Sequence, residues 1–134
     1  MNTSRTLFIA DDDKDDLLVF SLAVEEVDPA TRLITASDGV EAMKILKHPQ
    51  SGIPDYIFLD LNMPKKSGIE CIAEIRRESR LNGIPIIIYS TSSAPAEKKE
   101  ALASGADIFI TKFIRFNDLC EALTNIFNNE LSVK

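Results

Sequence analysis

A long apolar run, a basic stripe and a set of paired cysteines are all missing from this chain, and each absence removes a class of function. No apolar stretch approaches the length of a membrane span, and the amino terminus lacks the charged-then-apolar order of a secretory signal. A cytoplasmic protein with no membrane partner is therefore expected. Fifteen basic residues stand against 21 acidic ones, for a net charge of −6, and the basic residues are scattered. Phosphate backbones are gripped by basic stripes, so nucleic acid is not an expected partner. Arg76-Arg77 reads as a solvated helix face. Cys71 and Cys120 fall inside helical patterns, away from the single histidine, His48, which reads as an exposed loop residue. Core thiols are expected, not a disulfide or a zinc site. At 134 residues the sequence predicts one domain over 1–134, with a real core and no output domain.

What is present is an alternation. Apolar runs at 6–10, 32–36, 56–60, 85–90 and 108–111 read as strands. Helical patterns at 14–27, 38–48, 68–79, 95–104 and 116–129 separate and follow them. The second and third helices open on Asp38-Gly39-Val40-Glu41 and Ser67-Gly68-Ile69-Glu70, both patterned as capping boxes. Near-continuous apolar strands alternating with helices predict an α/β fold, a doubly wound parallel sheet with helices on both faces. Ligands of such sheets bind beyond the carboxyl ends of the strands.

Those ends carry chemistry. Leu7-Phe8-Ile9-Ala10 runs into Asp11-Asp12-Asp13, and Tyr56-Ile57-Phe58-Leu59 into Asp60. Ile86-Ile87-Ile88-Tyr89 runs into Ser90-Thr91, and Ile108-Phe109-Ile110-Thr111 into Lys112. Carboxylates brought within a few Å repel one another unless a cation holds them. All-oxygen ligation with room for a phosphate oxygen suits Mg²⁺. An Asp in line with a phosphoryl donor can act as nucleophile, while a lysine and a hydroxyl neutralise and orient the phosphoryl oxygens. Asp13 reads as a helix-start residue.

These residues together resemble the receiver domain of two-component response regulators, in order and over nearly the whole chain. The resemblance implies a five-stranded parallel sheet in the flavodoxin-like order 2-1-3-4-5. It implies Asp60 as phosphoacceptor, with Mg²⁺ held by Asp12, Asp60 and the backbone carbonyl of Asn62, and by Asp11 mainly through water. Lys112 would bind the phosphoryl oxygens, Ser90 would be the switch hydroxyl and Phe109 the switch aromatic. The implied partners are a histidine kinase or histidine phosphotransfer protein and a downstream protein. A homodimer through the face of the fourth helix, fifth strand and fifth helix also follows. The expected function is that of a stand-alone switch signalling by protein contact or onward phosphorelay, with no enzymatic activity beyond self-catalysed phosphorylation and dephosphorylation.

A haloacid dehalogenase-type phosphatase also uses a strand-end Asp with Mg²⁺, but it expects a second Asp where this chain has Asn62. A degenerate receiver would lack part of the set formed by Asp12, Asp60, Ser90 and Lys112, and none is lacking. Two positions depart from the family pattern: Thr91 stands where a smaller residue is common, and Phe113 follows Lys112 in place of proline. A non-proline cis bond costs about 2.5–4 kcal/mol, so a trans Lys112–Phe113 bond is predicted, with Ile114 or Phe116 partly on the surface. The run Leu61-Asn62-Met63-Pro64-Lys65-Lys66 and the missing proline are similar to a subgroup of stand-alone receivers, some of which partner phytochrome-type histidine kinases.

Overall fold

Strands apolar on both faces must be covered on both, and this chain does so. The computed structural model describes residues 4–48, 50–113 and 115–128. Strands β1 (Thr6–Ala10), β2 (Arg32–Ala36), β3 (Tyr56–Leu59), β4 (Ile86–Ser90) and β5 (Ile108–Thr111) form one sheet in the order β2-β1-β3-β4-β5. All the pairings are parallel. Between and after them lie helices α1 (Lys14–Val27), α2 (Gly39–Lys47), α3 (Gly68–Arg76), α4 (Pro95–Ser104) and α5 (Phe116–Phe127).

The twofold period of the strands sorts their side chains into two cores. Phe8, Ala10, Ile57, Leu59, Ile86 and Ile88 join Met43, Leu46, Ile72, Ile75 and Ala101 beneath α2, α3 and α4. Leu7, Ile9, Phe58, Ile87 and Tyr89 meet Phe20, Val24, Leu119, Leu123 and Ile126 beneath α1 and α5. The helices run from 9 to 14 residues, too short to persist alone in water. Burial of each large apolar side chain, at about 1.5–3 kcal/mol, is what holds them. Helix α4 is the least anchored, presenting only Ala101 fully and Leu102 partly to the core.

Local capping follows the sequence in two places and departs from it in a third. The Asp13 side chain caps α1 by accepting from the backbone N–H groups of Asp15 and Asp16. Ser67 and Glu70 form the reciprocal capping box at α3. At α2 the Asp38 side chain accepts from the Glu41 N–H, but Glu41 does not return to Asp38. Its Oε1 takes both the N–H and the hydroxyl of Ser37, at 2.7 and 3.0 Å. Two donors from one residue outcompete a single N–H.

Helix α3 ends at Arg76, short of the 79 the periodicity predicts, and a 3₁₀ turn follows at Ser79–Leu81. No apolar side chain stands between Ile75 and Leu81, so nothing draws a longer helix along the sheet, and the turn buries Leu81 instead. Arg76 is also not the solvated residue expected. Its guanidinium donates to the carbonyls of Gly105 and Ile84 and to Asp107, whose Oδ2 in turn accepts from the Ile86 N–H. That clamp ties the end of α3 to the entries of β4 and β5. Gly105 closes α4 at φ +124°, and a Cβ there would meet the Arg76 Cγ at 2.9 Å.

The Lys112–Phe113 peptide bond is trans, as are all others among the described residues. Phe113 and Phe116 are 37% and 39% exposed. The expectation for Ile114 lies outside the described residues. Cys71 is buried and Cys120 half-buried, and both are free thiols.

Candidate functional site

Backbone bonds across the sheet fix where the acidic side chains emerge. The Asp11 N–H donates to the Ala36 carbonyl and the Asp60 N–H to that of Ala10, each at 3.0 Å. The first residues past β1 and β3 are thus pinned at the same edge. Gly68 secures the second from behind. Its N–H donates to the Leu61 carbonyl, and a Cβ there would stand 2.3 Å from the Asp60 carbonyl oxygen, so α3 packs directly on the backbone of the loop. From β4, Ser90 arrives fully buried, its Oγ accepting from the Ser92 N–H. From β5, the Lys112 N–H donates to the Ser90 carbonyl at 2.7 Å.

Three of the acids form one group. Carboxylate oxygens of Asp11, Asp12 and Asp60 lie within 4.8 Å of one another, the only such cluster among the described residues. Asp11 and Asp60 are buried and Asp12 is exposed. Burial pushes the Asp11 carboxyl up to about 6; Lys112 and the Asp13 N–H pull it down, and the Asp60 charge raises it further. Burial alone would depress the Lys112 ammonium, but its close contacts with the Asp11 and Asp16 carboxylates outweigh that and hold its pKa above the ordinary lysine value.

The lysine joins the cluster. Its Nζ lies 2.6 Å from Asp11 Oδ2, 2.7 Å from Asp16 Oδ2 and 3.2 Å from Asp60 Oδ2. The approach to Asp11 is out of the hydrogen-bonding direction, leaving that fully buried Oδ2 with a charge contact but no aligned hydrogen bond. Asn62 is exposed, and its N–H sits 3.4 Å from Asp60 Oδ1, a long contact. Phe109 is half-buried against the core beneath α3 and α4, opposite Ile88 in the sheet.

Asp16 is the residue that reading the sequence does not connect to this edge. It lies in the first turn of α1, where the helix dipole favours an acid whatever else that acid does. The available signal was its position in the first turn of a helix that begins directly beyond Asp11-Asp12-Asp13.

A family model of the response regulator receiver domain matches residues 7–124. The chain belongs to that family. Among curated relatives, response regulator Rcp1 of Synechocystis sp. is 28% identical over 129 residues, covering 93% of this chain and 88% of that protein. The probable methanogenesis regulatory protein FilR2 of Methanothrix harundinacea is 25% identical over 123 residues, covering 90% of this chain and 79% of that one. Among solved structures, the phosphorylated cyanobacterial phytochrome response regulator RcpA superposes with a TM-score of 0.85 at 29% identity, covering 98% and 97% of the two chains. The Mn²⁺-bound form of Rcp1 gives a TM-score of 0.80 at 25% identity, covering 97% and 99%. The flavodoxin-like receiver fold that the resemblance implies is the fold observed, in the same strand order. No described helix of this receiver is long and apolar enough to cross a membrane.

Proposed function

We propose that this receiver accepts a phosphoryl group on Asp60 from the phosphohistidine of a histidine kinase or histidine phosphotransfer protein. The observation that carries the reading is the joint placement of Asp11, Asp12, Asp60 and Lys112 at one sheet edge. In the transfer, an Asp60 carboxylate oxygen forms a bond to phosphorus as the donor's P–N bond breaks, and the imidazole leaves with the bonding pair.

A divalent cation fits this donor set. Three carboxylates converge, and one buried oxygen of Asp11 has no aligned hydrogen bond to satisfy it. Asp11, Asp12, Asp60 and the backbone carbonyl of Asn62 are the groups that would hold Mg²⁺. When bound, Mg²⁺ supplies positive charge against the equatorial phosphoryl oxygens. Lys112 would offer them a second positive charge, and Ser90, at the end of the neighbouring strand, would be the hydroxyl donor. The likeness to RcpA supports a phytochrome-type histidine kinase as the donor class.

Incubation with acetyl phosphate and Mg²⁺ should add one phosphoryl group by intact mass. An unmodified protein under conditions that label other receivers would make this a degenerate receiver. The output is protein contact or onward relay through the face of α4, β5 and α5, where α4 is lightly anchored and Phe109 is half-buried. Moving a switch from mostly inactive to mostly active takes about 3–5 kcal/mol. New bonds from Ser90 and Lys112 to a phosphate, at about 1.5–3 kcal/mol each, reach that range. Hydrogen exchange through residues 90–113 should therefore change with a phosphate mimic. A homodimer through this face should add protection around the exposed Phe113 and Phe116 as protein concentration rises. Exchange that is the same with and without the mimic at all concentrations would refute this output.

A further inference from the structure

Three carboxylates surround the Lys112 ammonium: Asp16 and Asp60 accept hydrogen bonds from it, and Asp11 makes a charge contact. Two of those carboxylates, Asp11 and Asp60, belong to the cluster that fits a divalent cation. A dication among them and the lysine ammonium repel each other and compete for the same oxygens. Metal loading would thus weaken two of the three contacts that keep Lys112 over Asp60. The third is different. Asp16 is not part of the cluster, and it accepts an aligned hydrogen bond from Nζ at 2.7 Å, shorter than the 3.2 Å to Asp60. Its own position is set by the helix: the Asp16 N–H donates to Asp13 Oδ1, and α1 is anchored through Phe20 against Phe58 and Tyr89.

We propose that Asp16 is a positioning residue that tethers Lys112 beside the phosphoacceptor once the metal-binding carboxylates are engaged. The inference rests on the phosphoacceptor reading of Asp60 and assigns that site a further member. Asp16 lies outside the carboxylate cluster and would act on the phosphoryl group only through Lys112. It holds the charge that does the neutralising.

Asp16→Asn keeps the side-chain shape, removes the charge and leaves the Asp13 cap intact. With saturating Mg²⁺, the maximal rate of labelling by acetyl phosphate should fall about tenfold, with the half-saturating donor concentration little changed. Magnesium affinity by calorimetry should be unchanged or tighter. A third measurement does not depend on phosphorylation: the acylation rate of the Lys112 amine by an amine-reactive ester, mapped by peptide mass. The Asn variant should react faster than wild type when Mg²⁺ is present, and at the wild-type rate when it is absent, because Asp11 and Asp60 then still hold the lysine.

A variant labelled as fast as wild type would show Asp16 to be idle, one labelled faster would show it to compete for Lys112, and either would overturn the tether. Weakened Mg²⁺ binding would overturn it by making Asp16 act through the cation. Lys112 reactivity that ignores Mg²⁺ would do the same. Should wild type itself take no label, the phosphoacceptor reading fails, while the reactivity comparison still decides the tether.

Discussion

Asp60→Asn should reduce labelling by acetyl phosphate and Mg²⁺ to below detection while leaving the fold in place. The expectation follows from what the other acids at this edge already do. Asp13 spends its Oδ1 on two N–H groups at the start of α1. Asp11 has one oxygen on the Asp13 N–H and the other against Lys112, with almost no exposure to an incoming donor. Asp12 is exposed and lacks a lysine partner among the described contacts. Asp60 alone combines a place at the sheet edge, slight exposure and the Lys112 ammonium within 3.2 Å. Asparagine preserves its volume and can still accept from Lys112, so packing is retained, but an amide oxygen is a poor nucleophile. Label that persists in the variant and maps to Asp12 or Asp13 would sink the assignment.

How much of this was legible in advance depends on the range of the interaction. The strands could be read because each is a short apolar run closed by a change of chemistry, as at Leu59 to Asp60. The observed spans differ from the expected ones by a residue at Asp60 and Pro85. Capping is equally local, since Ser67 and Glu70 need only the three-residue spacing of a first turn. The failures involve distance or competition. The pair Arg76-Arg77 has the local pattern of a solvated helix face, yet the partners of Arg76, Gly105 and Asp107, lie 29 and 31 residues away. Asp16 and Lys112 are 96 residues apart and meet only because β1 and β5 end at the same edge with α1 folded over it. Glu41 shows the second kind of failure. Its spacing fits a box with Asp38, but spacing carries no information about a better donor pair one residue earlier at Ser37.

Asp11→Asn should stabilise the metal-free protein at neutral pH by about 2–3 kcal/mol and weaken its response to Mg²⁺. The Asp11 carboxyl stands at about 6 in the fold against 3.8 for an ordinary aspartate, with burial the leading cause and Lys112 only partly offsetting it. One pKa unit corresponds to about 1.4 kcal/mol. Because the folded-state value is raised, the folded chain holds this proton longer than the unfolded one. The stability carried by the neutral form is complete below about pH 4 and is lost as pH climbs through about 6. Asparagine copies the neutral form at every pH. The difference between variant and wild type in urea melts with chelator should therefore be near zero at about pH 4, grow between about pH 4 and 6, and stay level above that. Magnesium should act in the opposite sense, since at the proposed site it would bind the folded wild type and compensate the buried charge. At roughly a hundred times its dissociation constant it adds about 2.7 kcal/mol to wild type, enough to erase the variant's advantage. A variant less stable than wild type at pH 7 in chelator would mean that the ion pair with Lys112 outweighs burial at Asp11. The acid cluster would then be self-sufficient without a cation, and the electrostatic case for Mg²⁺ at this edge would fall with it.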